Sequence, residues 1–146
     1  MEAARELWGV PRFDLMQIHN MLDWKVHLET LKAWKAEGLI RYIGITTSHG
    51  RRHQDIERAL AKEPFDFVQF TYNLVDRDVE RRLLPLAAER GIAVIINRPF
   101  DGGALFGPVS GKPLPAWAAE FDCTNWAQFF LKFIVSHPAV TCAIPA

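Results

Sequence analysis

Residues Asp14-Leu-Met-Gln-Ile-His-Asn20 run from a single acid through an apolar stretch to a polar stop, with His19 near the end. The same shape recurs downstream. Gly44-Ile-Thr-Thr47, Gln69-Phe-Thr-Tyr-Asn73 and Asn97-Arg-Pro-Phe100 each place polar groups just after a hydrophobic, strand-like stretch. Polar side chains gathered at the carboxyl ends of successive parallel strands are how (β/α) barrels and open α/β sheets build their sites. The pattern is entered and left partway along, which limits the chemistry expected of it.

Working outward, the apolar period alternates along the chain. Strands are predicted over 13–19, 39–46, 65–71, 92–96 and 140–144. Helices are predicted over 24–37, with Asp23 as N-cap and Gly38 closing it, and over 50–62, 78–90 and 124–136. Trp24, Leu28, Leu31 and Trp34 share one helical face. Pro85 lies inside the 78–90 pattern and should kink or restart that helix. The first three strands start at Phe13, Leu39 and Phe65, about 26 residues apart, the size of one βαβ unit. Near-continuous aliphatic strands in such repeats mean a parallel sheet covered by helices. Right-handed crossovers then give five strands in sequential order with the helices on one face. Residues 98–122 read as a long Gly- and Pro-rich loop, a lid or substrate loop.

Composition narrows the partners. The 146 residues form one domain, and 49% of them are apolar, enough for a core. Lys and Arg balance Asp and Glu at 17 each, so neither nucleic acid nor an anionic membrane surface is expected as partner. Cys123 and Cys142 are too few for a disulfide framework and read as buried thiols. Residues 1–10 read as an amphipathic helix, not a signal peptide. No run reaches the roughly 18 apolar residues of a membrane span. A cytoplasmic setting follows as the default. His49 and His53 have helical metal-ligand spacing but no third ligand, so no metal is expected.

These motifs, in this order, resemble the aldo-keto reductases, NAD(P)H-dependent enzymes on the TIM barrel. DLMQIHN looks like the family's fourth strand, ending in its catalytic histidine. GLIRYIGITT resembles the fifth strand, VQFTYN the sixth, IAVIINRPF the seventh, and SHPAVTCAIPA the last helix and eighth strand. Each motif alone is weak; five in order at family spacing are specific. The resemblance implies a partial TIM (β/α)8 barrel of about five parallel strands over 1–146, a single truncated domain. It implies that the catalytic tyrosine, its lysine and aspartate partners, and the segment that binds the cofactor's adenosine phosphate have no counterparts here.

The resemblance also assigns roles. His19 would orient a substrate carbonyl; otherwise it is a strand-end histidine held by backbone groups. Thr46 and Thr47 stand where the family usually has Ser-Asn, which holds the nicotinamide carboxamide. Thr47 cannot reproduce an amide's paired donor and acceptor. Gln69 matches the family glutamine on the same carboxamide, and a glutamine inside an apolar run is costly without a partner. Asn97 replaces an aromatic that stacks on the nicotinamide ring, and Arg98 could meet a pyrophosphate. Tyr72 and Asn73 read better as a strand-exit turn with an Asn cap. Trp117, Trp126 and Phe129 read as core or lid packing.

Two functions stay open. One is an NAD(P)H-dependent carbonyl oxidoreductase domain, inactive alone for want of the catalytic tyrosine, with NADPH as the implied cofactor. A small carbonyl substrate would enter only if the site were completed. The other is a non-enzymatic binding or assembly module. Open sheet edges and strand side chains such as Leu15, Ile43, Val68 and Ile95, some facing the barrel interior and some the helix layer, predict a homo-oligomer that covers the open face; the alternative is that the 98–122 loop folds back and plugs it.

Overall fold

The computed structural model describes residues 2–145. One parallel sheet runs in the order β1-β2-β3-β4-β5, formed by Phe13–Ile18, Ile40–Thr46, Phe67–Thr71, Ala93–Asn97 and Cys142–Ala143. Helix α1 (Glu2–Trp8) precedes the sheet, and α2 (Trp24–Ala36), α3 (His53–Lys62), α4 (Leu83–Glu89) and α5 (Trp126–Val135) connect its strands. The predicted class and strand order are both present.

The core lies between the sheet and these helices. Ile18, Ile43, Ile45, Val68, Phe70, Val94 and Ile96 meet Leu28 and Leu31 of α2, Ile56, Ala59 and Leu60 of α3, and Leu83, Leu84 and Ala87 of α4. Period-2 alternation then sends their neighbours to the other face. The register pairs Leu15 with Tyr42, Gln17 with Gly44, Thr46 with Gln69, and Gln69 with Ile95. Leu15 and Ile95 therefore belong to the barrel-interior face. Of the four, Ile43 and Val68 are the ones packed in the helix layer. Sequence alternation separates two faces without naming which one the helices cover.

Other expectations shift at the ends of elements. The 13–19 strand stops at Ile18, because His19–Met21 turns into a short 3-10 segment with Asn20 at φ 52. The helix expected from Gly50 starts at His53, since His49, Gly50 and Arg52 all have positive φ. Asp23 contributes no capping side chain: its φ is 41, and only its backbone carbonyl accepts from Val26 and His27. Of the two outcomes expected at Pro85, a restart is present and a kink is not. The 78–90 segment breaks at Arg82, between a 3-10 turn over Asp78–Arg81 and α4, and Pro85 falls in the first turn of α4, where no helical N–H is needed. The long loop is not structureless; 3-10 segments cover Asp101–Val109 and Ala116–Phe121. The last strand is short, Cys142–Ala143. Cys123 is buried, but Cys142 is exposed, contrary to the expectation of two buried thiols.

Helix α1 forms as expected, yet none of its residues is buried, and Leu7 and Trp8 stand exposed. At the amino ends of the strands Asp66 links layers: its carboxylate accepts from the Ile43 N–H at 2.8 Å and pairs with Lys35 of α2 at 2.6 Å.

Candidate functional site

The carboxyl ends of β1–β4 carry a connected polar rim. Among the described residues Thr46, Thr47, Thr71 and Asn73 are the buried polar ones, all within a few per cent of full burial. Strand geometry places them: each ends or just follows a strand whose preceding residues are locked into the core. Their burial is tolerable because each is bonded.

Thr46 Oγ1 accepts from the Asn20 N–H at 2.9 Å, so β2 holds the turn that carries His19. His19 itself is exposed and lies at a groove of about 330 Å³ between β1 and α2, with Met16, Leu31 and Trp34 among its walls. Thr47 donates through its hydroxyl to the Arg51 carbonyl at 2.7 Å. Its own carbonyl accepts from Asn97 Nδ2 at 2.9 Å. Asn97 Oδ1 accepts from Thr71 at 2.7 Å, and Thr71 Oγ1 accepts from the His49 N–H at 3.0 Å. Three strands are thereby tied at their ends, and the amide of Asn97 is consumed in tying them.

Gln69 is placed differently. Its Oε1 accepts from Gln17 Nε2 of β1 at 3.1 Å, and its NH2 donates to no protein acceptor among the described residues. Arg98, at φ 50, pairs with Asp101 at 3.1 Å and lies over Gly102, where a Cβ would come within 3.1 Å of Nη2. With His49, Gly50, Thr71, Asp76 and Asp101 it borders a cleft of about 540 Å³. Burial pushes the Asp76 carboxyl up, reinforced by Asp78 and Asp101 and opposed by His53.

The structure thus separates the sequence candidates. Gln69 keeps a free donor; Thr46, Thr47 and Asn97 are already bonded within the fold; Arg98 has an acidic neighbour. The expected Asn73 cap is present, with Oδ1 accepting from Val75 and Asp76. Tyr72 faces the helix layer, 2% exposed, and donates to Glu80 at 2.7 Å. Tyr42 lies low on the interior face, opposite Leu15. Trp126, Phe129 and Phe130 of α5 form a run of aromatic contacts with Trp117 of the Ala116–Phe121 segment, joined by Phe106 and Phe100 from the loop. Gln17 and Thr71 were missed as site residues. The signal for Gln17 was the one applied to Gln69: a glutamine in an apolar strand needs a partner.

The sequence model of the aldo/keto reductase family matches residues 1–146. This chain belongs to the aldo/keto reductase family. An uncharacterized oxidoreductase of Schizosaccharomyces pombe is 33% identical over 141 residues, a match covering 94% of this chain and 44% of that protein. An aldo-keto reductase from Klebsiella pneumoniae, solved in complex with NADPH, superposes with a TM-score of 0.77 at 21% identity, covering 99% of this chain and 52% of the other. Aldo-keto reductase AKR11C1 from Bacillus halodurans, in its apo form, gives a TM-score of 0.73 at 24% identity, with 99% and 55% covered. The chain spans about half the length of the relatives it matches. The aldo/keto reductase likeness accounts for the parallel strands in sequential order and for a polar rim at their carboxyl ends.

Proposed function

We propose that this chain is the nicotinamide-holding part of an NAD(P)H-dependent carbonyl reductase, without turnover on its own. The observation that carries this is Gln69, a half-buried amide in an apolar strand, fixed through its oxygen and left with a free NH2. That donor set fits a primary carboxamide. Thr46 adds a hydroxyl whose acceptor side is taken and whose proton remains to be given. The nicotinamide, when bound, supplies hydride to a carbonyl carbon. His19, held by the Thr46–Asn20 bond, would hydrogen-bond the carbonyl oxygen. Arg98 would meet a phosphate only by sharing itself with Asp101.

Reduction also needs a proton donor for the developing alkoxide. The two tyrosines do not serve: Tyr72 is sealed against the helices, and Tyr42 sits early in β2, away from the carboxyl-end rim. The reading is therefore cofactor contact without catalysis. A cytosolic, reducing setting fits the two free thiols. Among the described residues no helix is long and apolar enough to cross a membrane.

Fluorescence titration with NADPH tests the reading, beside an assay of aldehyde reduction. Saturable binding lost in Gln69→Leu supports it; no binding, or turnover abolished by His19→Ala, counts against it. A second reading, an assembly module, is favoured by the groove of apolar residues beside β1, whose outer edge pairs with no strand among the described residues.

A further inference from the structure

We propose that Gln17 is a positioning residue for Gln69, and that Gly44 is a glycine because Gln17 must cross it. The inference rests on the reading of Gln69 as a carboxamide partner. Gln17, Gly44 and Gln69 lie on three adjacent strands and on the same face, since Gln17 pairs with Gly44 in register and Thr46 pairs with Gln69. Adjacent strands are about 4.8 Å apart, so a β1 side chain reaches β3 only by lying across β2. Gln17 does this, with Nε2 3.1 Å from Gln69 Oε1.

Gly44 provides the room. A Cβ there would lie 2.8 Å from Gln17 Cγ, 2.9 Å from its Oε1 and 3.2 Å from its Cδ. The Gly44 backbone does not have a positive φ, so the requirement is space and not conformation. Any larger residue expels the Gln17 side chain.

A free glutamine amide can turn over and exchange its donor and acceptor ends. The bond from Gln17 limits that freedom: with Gln17 presenting its NH2, Gln69 Oε1 is held toward β1, which turns the Gln69 NH2 away. Recognition of the carboxamide oxygen needs a donor, and a turned glutamine amide would present an oxygen there instead. The arrangement is also expensive as mere packing. Gln17 Oε1 is buried with no partner among the described residues, and an unmet buried acceptor is destabilising. Two apolar side chains would fill the same space without that loss.

The test uses Gly44→Ala and, should that variant fold poorly, Gln17→Leu. Two readouts are taken on the whole chain. In 15N–1H spectra the Gln69 side-chain NH2, assigned by its loss in Gln69→Leu, is expected to shift in both variants. In titrations the chain is expected to prefer NADP+ over its thionicotinamide analogue, whose sulfur accepts from the Gln69 NH2 more weakly than the carboxamide oxygen does, and that preference is expected to fall severalfold, within the value of one hydrogen bond. A variant that only loosened the fold would weaken both nucleotides together and keep the ratio. An unmoved Gln69 signal or an unmoved ratio overturns the positioning role. Failure of the unaltered chain to bind either nucleotide overturns instead the carboxamide reading beneath it.

Discussion

Tyr72 and Glu80 form a bond between β3 and the turn ahead of α4 that the site does not use. Arg77 holds the same carboxylate by two bonds of 2.9 Å, and its guanidinium lies 5.4 Å from the Phe133 ring centre. These bonds from Arg77 and Tyr72 hold Glu80 below the usual carboxylate range, while burial, and then Glu80 itself, push the Tyr72 phenol up. The signs are opposite. Glu80 stabilises above the ordinary carboxylate value, and that share is lost as pH falls through its lowered one. Tyr72 stabilises below the ordinary phenol value, and that share is lost as pH rises through its raised one. Tyr72→Phe is expected to cost about 1–2 kcal/mol, less than a sealed charged hydrogen bond because Glu80 is partly open to solvent. Urea unfolding at neutral pH checks the size, and the alkaline loss of stability should flatten in the variant. Asn73, fully buried, accepts from two backbone N–H groups and donates to the Arg98 carbonyl at 3.1 Å. Asn73→Ala strands those groups and should lower stability by about 2–3 kcal/mol, read as an earlier denaturant midpoint.

At the scale of elements, helix starts separate two residues that look alike in sequence. Asn125 caps α5 through its side chain, accepting from the Gln128 N–H at 2.9 Å. Asp23 precedes α2 with a left-handed backbone and no side-chain cap. Asn125→Ala should therefore cost about 1 kcal/mol, whereas Asp23→Gly should be neutral or slightly stabilising, since glycine meets no Cβ penalty at positive φ. Thermal melts of the two variants decide it; equal losses would mean that Asp23 caps after all. The start of α4 follows similar logic. The prolyl ring occupies the turn where it breaks no bond, so the chain restarts at Arg82 and not at Pro85.

For the whole molecule the open question is what meets the edges of the sheet. A closed barrel has no edge, whereas here β1 and β5 each pair on one side only among the described residues. Leu22, Val26, Leu7 and Trp8 are exposed near the β1 end of the chain fold. Burying an aliphatic side chain is worth roughly 1.5–3 kcal/mol, so several together offset the entropy of modest association. The loop that was an alternative cover sends its aromatic contacts, Phe100 to Phe106 to Phe130, toward α5. We propose a homodimer or larger assembly. Sedimentation velocity at low micromolar concentration should show it, and a clean monomer there would remove the idea.

The five strands and the helical face of α2 were legible in the sequence, because each is fixed by a local period of apolar residues that one buried layer satisfies, and their order followed from right-handed crossovers. His19, Gln69 and the rim they share were legible as polar interruptions of those periods. The side of the sheet that Ile43 and Val68 face was not, since alternation is symmetric between two faces until the helices choose one. Nor was the fate of Thr47, Asn97 and Gln17. Their partners, Arg51, Thr71 and Gln69, are supplied by turn geometry and by neighbouring strands. A side chain that can donate and accept is committed only when the tertiary structure brings it a partner, and that decision bonded Gln69 through its oxygen and left its NH2 free.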